Sequence, residues 1–287
     1  MKSTWMLVAG FMFALMGVLV KLASARFSAP ELVFYRSLFG LLSIYAVIVL
    51  SYRQWFAPLL TRHAASHVRR GFSGFVALVM YFYAIAHLPL PTAITLNYTS
   101  PLFLAAITAW WLKERHGRGL VAAVAIGFAG VALLLQPGWG GEDMLARLVG
   151  LASGVLAAVA YLNVRTLGRE GEPEWRVVFY FTLVAMLGSG VWMAGAGFAA
   201  PRMTDLPLLI ATGAAGTLGQ LAMTRAYRLG NTLAVGALAY STVGFAALYG
   251  VLLFGDRPPP ASWLGMLLIV IAGLVSVWAS RSVAAPE

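Results

Sequence analysis

The chain has no cysteine, which removes a disulfide framework and a thiolate metal site, and its redox compartment leaves no mark on the sequence. Charge is scarce too: 10% of the 287 residues are Asp, Glu, Lys or Arg, against about 25% in soluble domains. None of the acids falls at the centre of an apolar run, which disfavours a midplane carboxylate that would couple protons or bind a dication. No P-loop, zincin or dinucleotide fingerprint is present, so no cofactor or metal is implied and energy from ATP would need a partner. Gly71-Phe72-Ser73-Gly74 with Ala86-His87 could suggest an intramembrane serine protease. Ser73 and His87 lie 14 residues apart on one helix, about 21 Å, where a nucleophile and its base need about 3 Å. An enzyme is not expected.

What is abundant is apolar length. Hydrophobic residues make up 61% of the chain, and runs near 20 residues match a hydrocarbon core about 30 Å thick. The runs are Thr4 to Leu22, Glu31 to Leu50, Gly71 to Ala86, Pro91 to Leu112 and Arg118 to Gln136, then Leu148 to Thr166, Trp175 to Ala196, Leu206 to Tyr227, Thr232 to Phe254 and Ala261 to Ala279. Short connectors rich in Pro and Gly separate them and house no extramembrane domain. Ala23-Ser24-Ala25 resembles a signal cleavage site, but the run before it is longer than a usual signal core and Lys21 interrupts it. The expected class is an all-α polytopic membrane protein of ten transmembrane helices.

The chain also repeats itself. Ala84 to Arg115 falls without a gap on Ala226 to Arg257 at an offset of 142, matching Leu96, Tyr98, Phe103 and Ala105 to Leu238, Tyr240, Phe245 and Ala247. Leu7-Val8 falls on Leu148-Val149, and Val33-Phe34-Tyr35 on Val178-Phe179-Tyr180 after a shift in the loop. Residues 1–141 and 142–287 are therefore expected to be two five-helix units. An odd number of helices per unit turns the second upside down relative to the first.

The formal charge of +10 reads as topology rather than as a nucleic-acid face. With both termini inside, 14 of the 20 Lys and Arg residues fall on the cytoplasmic side and six on the other. The positive-inside rule favours that orientation.

Pro30 to Gly40 in the second run, and Tyr98-Thr99-Ser100-Pro101-Leu102-Phe103 continuing to Lys113-Glu114-Arg115 in the fourth, resemble the drug/metabolite transporter superfamily, specifically its EamA-like members. In the second copy Val243 replaces the helix proline and Asp256 the terminal glutamate. The resemblance implies an inner-membrane carrier of small organic solutes in a bacterial cell, with a cavity between the halves and alternating access. It implies amino acids or related zwitterions as the leading substrates, and export or facilitation as the direction. A uniporter for a nucleoside-like, aromatic or quaternary-amine compound stays open. So does a lipid-handling or scaffold protein without an aqueous cavity. The expected partners are a small-molecule solute and the lipid bilayer, with no nucleic acid and no second subunit.

An inverted repeat puts its site near the midplane, where equivalent residues approach each other. Tyr98 and Tyr240 are such equivalents. Asn97, Gln220, Tyr81, Tyr161, Asn163 and Ser241 join them as candidate substrate-binding groups, because a polar side chain in hydrocarbon must face a partner or a wet cavity. Thr95, Thr242 and Thr224 are weaker candidates, and all can equally serve as interhelical glue. Lys21, Arg36 and His87, near helix ends, are candidates for gating or coupling. For Arg36 the competing reading is an ion pair with Glu31, and for Lys21 snorkelling to the interface. The run Gly213-Ala214-Ala215-Gly216 is the expected site of a helix bend.

Overall fold

A computed structural model describes residues 4–53, 59–110, 118–135, 143–229 and 238–279. Its helices are α1 (Trp5–Ala23), α2 (Ala29–Tyr52), α3 (Ala64–His87), α4 (Leu90–Asn97), α5 (Ser100–Trp110) and α6 (Arg118–Leu135). The second set is α7 (Met144–Arg169), α8 (Glu174–Ala196), α9 (Leu206–Leu229), α10 (Ser241–Phe254) and α11 (Pro260–Ala279). Because α4 and α5 form one crossing, the segments make ten crossings, and no strand occurs among the described residues. By length and composition alone, six of the helices can span a membrane. Large apolar side chains such as Leu42, Val47, Val191 and Leu252 stay more than half exposed, as a lipid-facing surface requires.

Local chemistry sets several boundaries. Ser28 caps α2 in a capping box: its backbone N–H and its hydroxyl donate to Glu31 Oε2 at 2.7 and 2.6 Å. Gly255 ends α10 in the left-handed region, where a β-carbon would be strained. Helix α3 starts at Ala64, seven residues before the apolar run, because the polar stretch Ala64 to Arg70 continues the same helix. Arg70, counted among the cytoplasmic charges outside the apolar run, is therefore a helix residue.

The fourth crossing breaks after Asn97. A proline at position 101 has no N–H to give to residue 97 and would crowd its carbonyl. Thr99 N–H bonds instead to Leu96 O at 3.3 Å, and Thr99 Oγ1 donates to the same oxygen at 2.6 Å. The second copy interrupts at the equivalent place although Val243 stands where the proline would be. There Val243 N–H bonds Tyr240 O at 3.0 Å and Thr242 Oγ1 donates to Ala239 O at 2.9 Å. By contrast α9 stays helical through Gly213-Ala214-Ala215-Gly216. Its glycines admit Phe39 and Arg36 of α2. The interruptions among the described residues lie instead at the two tyrosines.

Helix contacts follow the inverted repeat. Helix α3 packs on α7 as its counterpart α9 packs on α1, and α3 packs on α8 as α9 packs on α2. The pairs α2 with α8 and α6 with α11 map onto themselves. Those two pairs therefore straddle the pseudo-two-fold axis. Each break lies against a glycine of the other half: a β-carbon at Gly154 would stand 2.7 Å from Leu96 O, and one at Gly10 2.7 Å from Ser241 Oγ.

Candidate functional site

A cavity of about 110 Å³ lies between α1, α2, α3, α7, α8 and α9, at the break that ends α4. Half of its wall consists of repeat equivalents: Met16 with Ala157, Arg36 with Phe181, Leu78 with Gln220, and Tyr81 with Met223. The offsets are 141 in the first helix of each half, 145 in the second and 142 in the third. The chemistry is not symmetric about the axis. In three of the four pairs a polar or charged residue faces an apolar one. Asn97 and Tyr98 enter at the α4–α5 break, and Tyr161 enters from α7. Loaded ligand sites enclose roughly 300–1,000 Å³. This cavity holds a few waters or one small polar group, so a larger solute needs its walls to part.

Two arginines dominate the electrostatics. Arg36 is the eighth residue of α2 and Arg70 the seventh of α3, and these helices enter from opposite ends of the bundle. Each guanidinium is anchored roughly 10 Å along its helix. They converge on one ring, with Arg36 Cζ 5.5 Å and Arg70 Cζ 4.4 Å from the centroid of Phe181. Repeat-equivalent glycines make the room. A β-carbon at Gly216 would meet Arg36 Nε at 2.9 Å, and one at Gly74 would collide with Arg70 Nη1 and meet Phe181 at 2.8 Å. Arg36 is 5% exposed and Arg70 8%. Among the described residues, Arg36 Nε, Arg70 Nε and Arg70 Nη1 find no hydrogen-bond partner. A charge at the centre of a membrane helix costs about 2.5–3.5 kcal/mol on insertion scales.

The sequence candidates fall into two groups. Arg36, Tyr81, Asn97, Tyr98, Tyr161 and Gln220 meet at the cavity. Asn97 Nδ2 also donates to Ser153 Oγ at 3.1 Å, tying the break to α7. Tyr240, Ser241 and Asn163 do not line the wall. Tyr240 is 4% exposed and packs against Gly273 on α11, whose missing side chain receives the ring. The two equivalent tyrosines therefore do not bracket one site. Ser241 sits against Gly10, and Asn163 Nδ2 donates to Val159 O of its own helix. Thr95 and Thr242 likewise donate to their own helices, at Pro91 O and Ala239 O.

The charged candidates near helix ends also separate. Arg36 makes no pair with Glu31, because five residues turn a helix about 140° away. Glu31 instead accepts from Ser28 and, at 2.6 Å, from Ala199 N–H of the other half. Lys21 donates to Leu88 O at 2.8 Å and lies 3.8 Å from Asp256, which accepts Leu90 N–H at 2.8 Å. This replaces free snorkelling with a tether between halves. His87 stacks on Tyr83, ring centroids 4.1 Å apart, with Nδ1 2.8 Å from Tyr83 O.

Sequence reasoning missed Arg70 and Phe181. Arg70, Gly74, Ala77 and Tyr81 stand at i, i+4, i+7 and i+11, one helical stripe, and Phe181 is the repeat equivalent of Arg36. Both signals were present in the sequence.

Residues 2–136 match the model of the EamA-like transporter family. A pseudopaline exporter of Pseudomonas aeruginosa is 34% identical over 92% of each chain. A riboflavin transporter of Vibrio cholerae is 28% identical, covering 97% of this chain and 94% of its own. An S-adenosylmethionine uptake transporter of Rickettsia bellii is 21% identical over 96% and 93%. A solved crystal structure with 19% identity superposes over 99% of this chain and 100% of the other, with a TM-score of 0.67, a likeness of fold. The chain is a multi-pass bacterial membrane transporter of small molecules, and it belongs to the EamA-like transporter family of the drug/metabolite transporter superfamily.

Proposed function

We propose that the chain exports small organic metabolites, with amino acids and related zwitterions as the first class to test, by alternating access around the cavity on the pseudo-two-fold axis. The observation that carries this reading is the cavity wall. Repeat equivalents line part of it, and one of the two interrupted crossings opens into it at Asn97 and Tyr98, as expected of carriers that rock one inverted half against the other. Export is supported by the name of the 34% identical relative, and the other relatives' names support a shared scaffold whose lining selects the solute. Residues 1–141 and 142–287 would be the rocking halves. Both termini would face the cytoplasm, an orientation still supported by 13 Lys and Arg residues once Arg70 is moved from the loop to the cavity. Side chains of one chain line the cavity, which supports a monomeric carrier.

The test is uptake of a labelled amino-acid panel into proteoliposomes, with and without a pH gradient, for wild type, Tyr98→Ala and Asn97→Ala. Saturable uptake that both substitutions reduce, in protein that still folds, is expected. The natural absence of cysteine permits a second readout, water-soluble thiol labelling of an Ala77→Cys variant. Shielding of that position from both sides of the membrane would overturn the cavity reading.

A further inference from the structure

The cavity holds two guanidiniums and, among the described residues, no counter-charge for them. Both are more than nine-tenths buried, both line the same 110 Å³, and three of their nitrogens are without a partner among the described residues. No described acid lines the wall. Glu31 is held by Ser28 and Ala199, Asp205 by Arg26, and Asp256 by Leu90 beside Lys21. Glu170 and Glu172 face His63 and His67 outside the cavity. Arginine stays protonated in proteins, so neither cation can escape by giving up a proton. What would complete the site is a group with two or more oxygens sharing negative charge, the geometry that a guanidinium fork receives in paired hydrogen bonds.

We propose that Arg36 and Arg70 form an oxyanion site, in which the solute's carboxylate or phosphate seats beside Phe181 between the two guanidiniums. Asn97 and Gln220 then orient the polar remainder of the solute, and Met16 and Met223 cover its apolar part. This rests on the reading of the cavity as the transport site, and it narrows the substrate class to organic anions. A zwitterionic amino acid can offer its carboxylate but finds no described acid for its ammonium group. The empty site carries two unneutralised charges, so reorientation without an anion is costly. The carrier therefore turns over by exchanging one anion for another.

The test uses the purified full-length protein with acetate, inorganic phosphate, 3-phenylpropionate and the neutral 3-phenylpropanamide as probes. Binding is read as a rise in melting temperature and as a dissociation constant. Either or both oxyanion classes are expected to bind, the acetate and phosphate arms separating carboxylate from phosphate, and the amide is expected to bind at least about tenfold more weakly than 3-phenylpropionate. Arg36→Gln and Arg70→Gln should each weaken the preferred probe by about tenfold or more. Without ligand, both variants should melt at or above the wild-type temperature, because each removes an unpaired buried charge. In proteoliposomes, preloading with the unlabelled probe should speed uptake of the labelled one, and Arg36→Gln should remove the difference. Binding of the amide as tight as that of the acid, unchanged affinity in both variants, or loss of ligand-free stability in both would overturn the proposal. If none of the probes binds while Ala77→Cys remains labelled, the oxyanion site fails and the transport cavity stands. If that position is shielded from both sides, the cavity reading fails with it.

Discussion

At the end of the bundle where α1 finishes, Arg26 pairs with Asp205 at 2.8 Å and donates to Ala200 O, while Glu31 accepts from Ala199. At the end where α1 starts, Glu170 and Glu172 meet Thr61, His63, Ser66 and His67. Each contact joins the connection between the first and second helices of one half to the region between the second and third of the other. The pseudo-two-fold axis thus relates the two latches. Their chemistry is not related: the side chains of Arg26 and Asp205 are 29% and 17% exposed, those of His67 and Glu172 only 1% and 4%. A carrier that opens one end at a time needs two closures of similar shape, and unequal chemistry sets which end opens more readily.

The largest expected effect follows from that burial. Glu172 accepts from Thr61 and, at 2.9 Å, from Arg176, and lies 3.3 Å from His67 Nε2. Glu172→Ala would take the acceptor from Thr61 and the counter-charge from the buried His67, at a cost of about 3 kcal/mol. Thermal unfolding of the purified variant measures this. Labelling of an Ala77→Cys background should rise from the side where α1 starts and stay unchanged from the other. If the variant loses no more stability than one at Asp205, the two latches are equivalent after all.

Acidification makes a gentler cut at the same place. Burial alone would push the Glu172 carboxyl up, but the bonds from Thr61 and Arg176, the nearby His67 and the Arg176 charge outweigh it and hold the group below its ordinary 4.5. A carboxyl depressed in the folded state stabilises fully above its ordinary value, and that stabilisation is lost as pH falls through the lower folded one. The latch should therefore hold down to about pH 4.5 and release below it, by a fraction of the Glu172→Ala effect. Side-selective labelling across pH 3.5 to about 7 reads this directly. Release beginning near neutrality would assign control to a group other than Glu172.

Much of this architecture is legible in the amino-acid pattern, and the exceptions have physical causes. Run lengths mark the crossings, and the 142-residue offset identifies which helices are repeat equivalents. Asn97, Tyr98 and Tyr81 can be placed at the cavity because polar groups at that depth have few other places to go. Arg70 cannot, since counting apolar residues starts α3 at Gly71 and leaves the arginine outside. The break after Tyr240 is hidden for another reason. Proline announces the first break, whereas a threonine hydroxyl bonded to Ala239 O supports the second, and threonine is equally at home in an unbroken helix. Tyr240 carries the further lesson that an identical residue at an equivalent position need not face the same way, because Gly273 opens a slot for its ring on α11.

The smallest effect belongs to the exposed latch. Arg26 and Asp205 lie in water-accessible connections, where the gain from their attraction is offset by the entropy of fixing two side chains. Asp205 also accepts Arg202 N–H at 2.7 Å, so part of its role is to shape its own loop. Asp205→Ala should cost below about 1 kcal/mol, and half-molar salt should weaken the wild-type pair almost as much, because the Debye length then falls to about 4 Å. Unfolding at low and high salt separates the two contributions. What salt removes belongs to the ion pair, and what the substitution removes beyond that belongs to the loop. A loss as large as that for Glu172→Ala would mean that exposure is a poor guide to latch strength here, and that the Glu31–Ala199 bond fails together with the pair. In that case the two ends would be equally strong, and the order in which they open would have to be set by the solute.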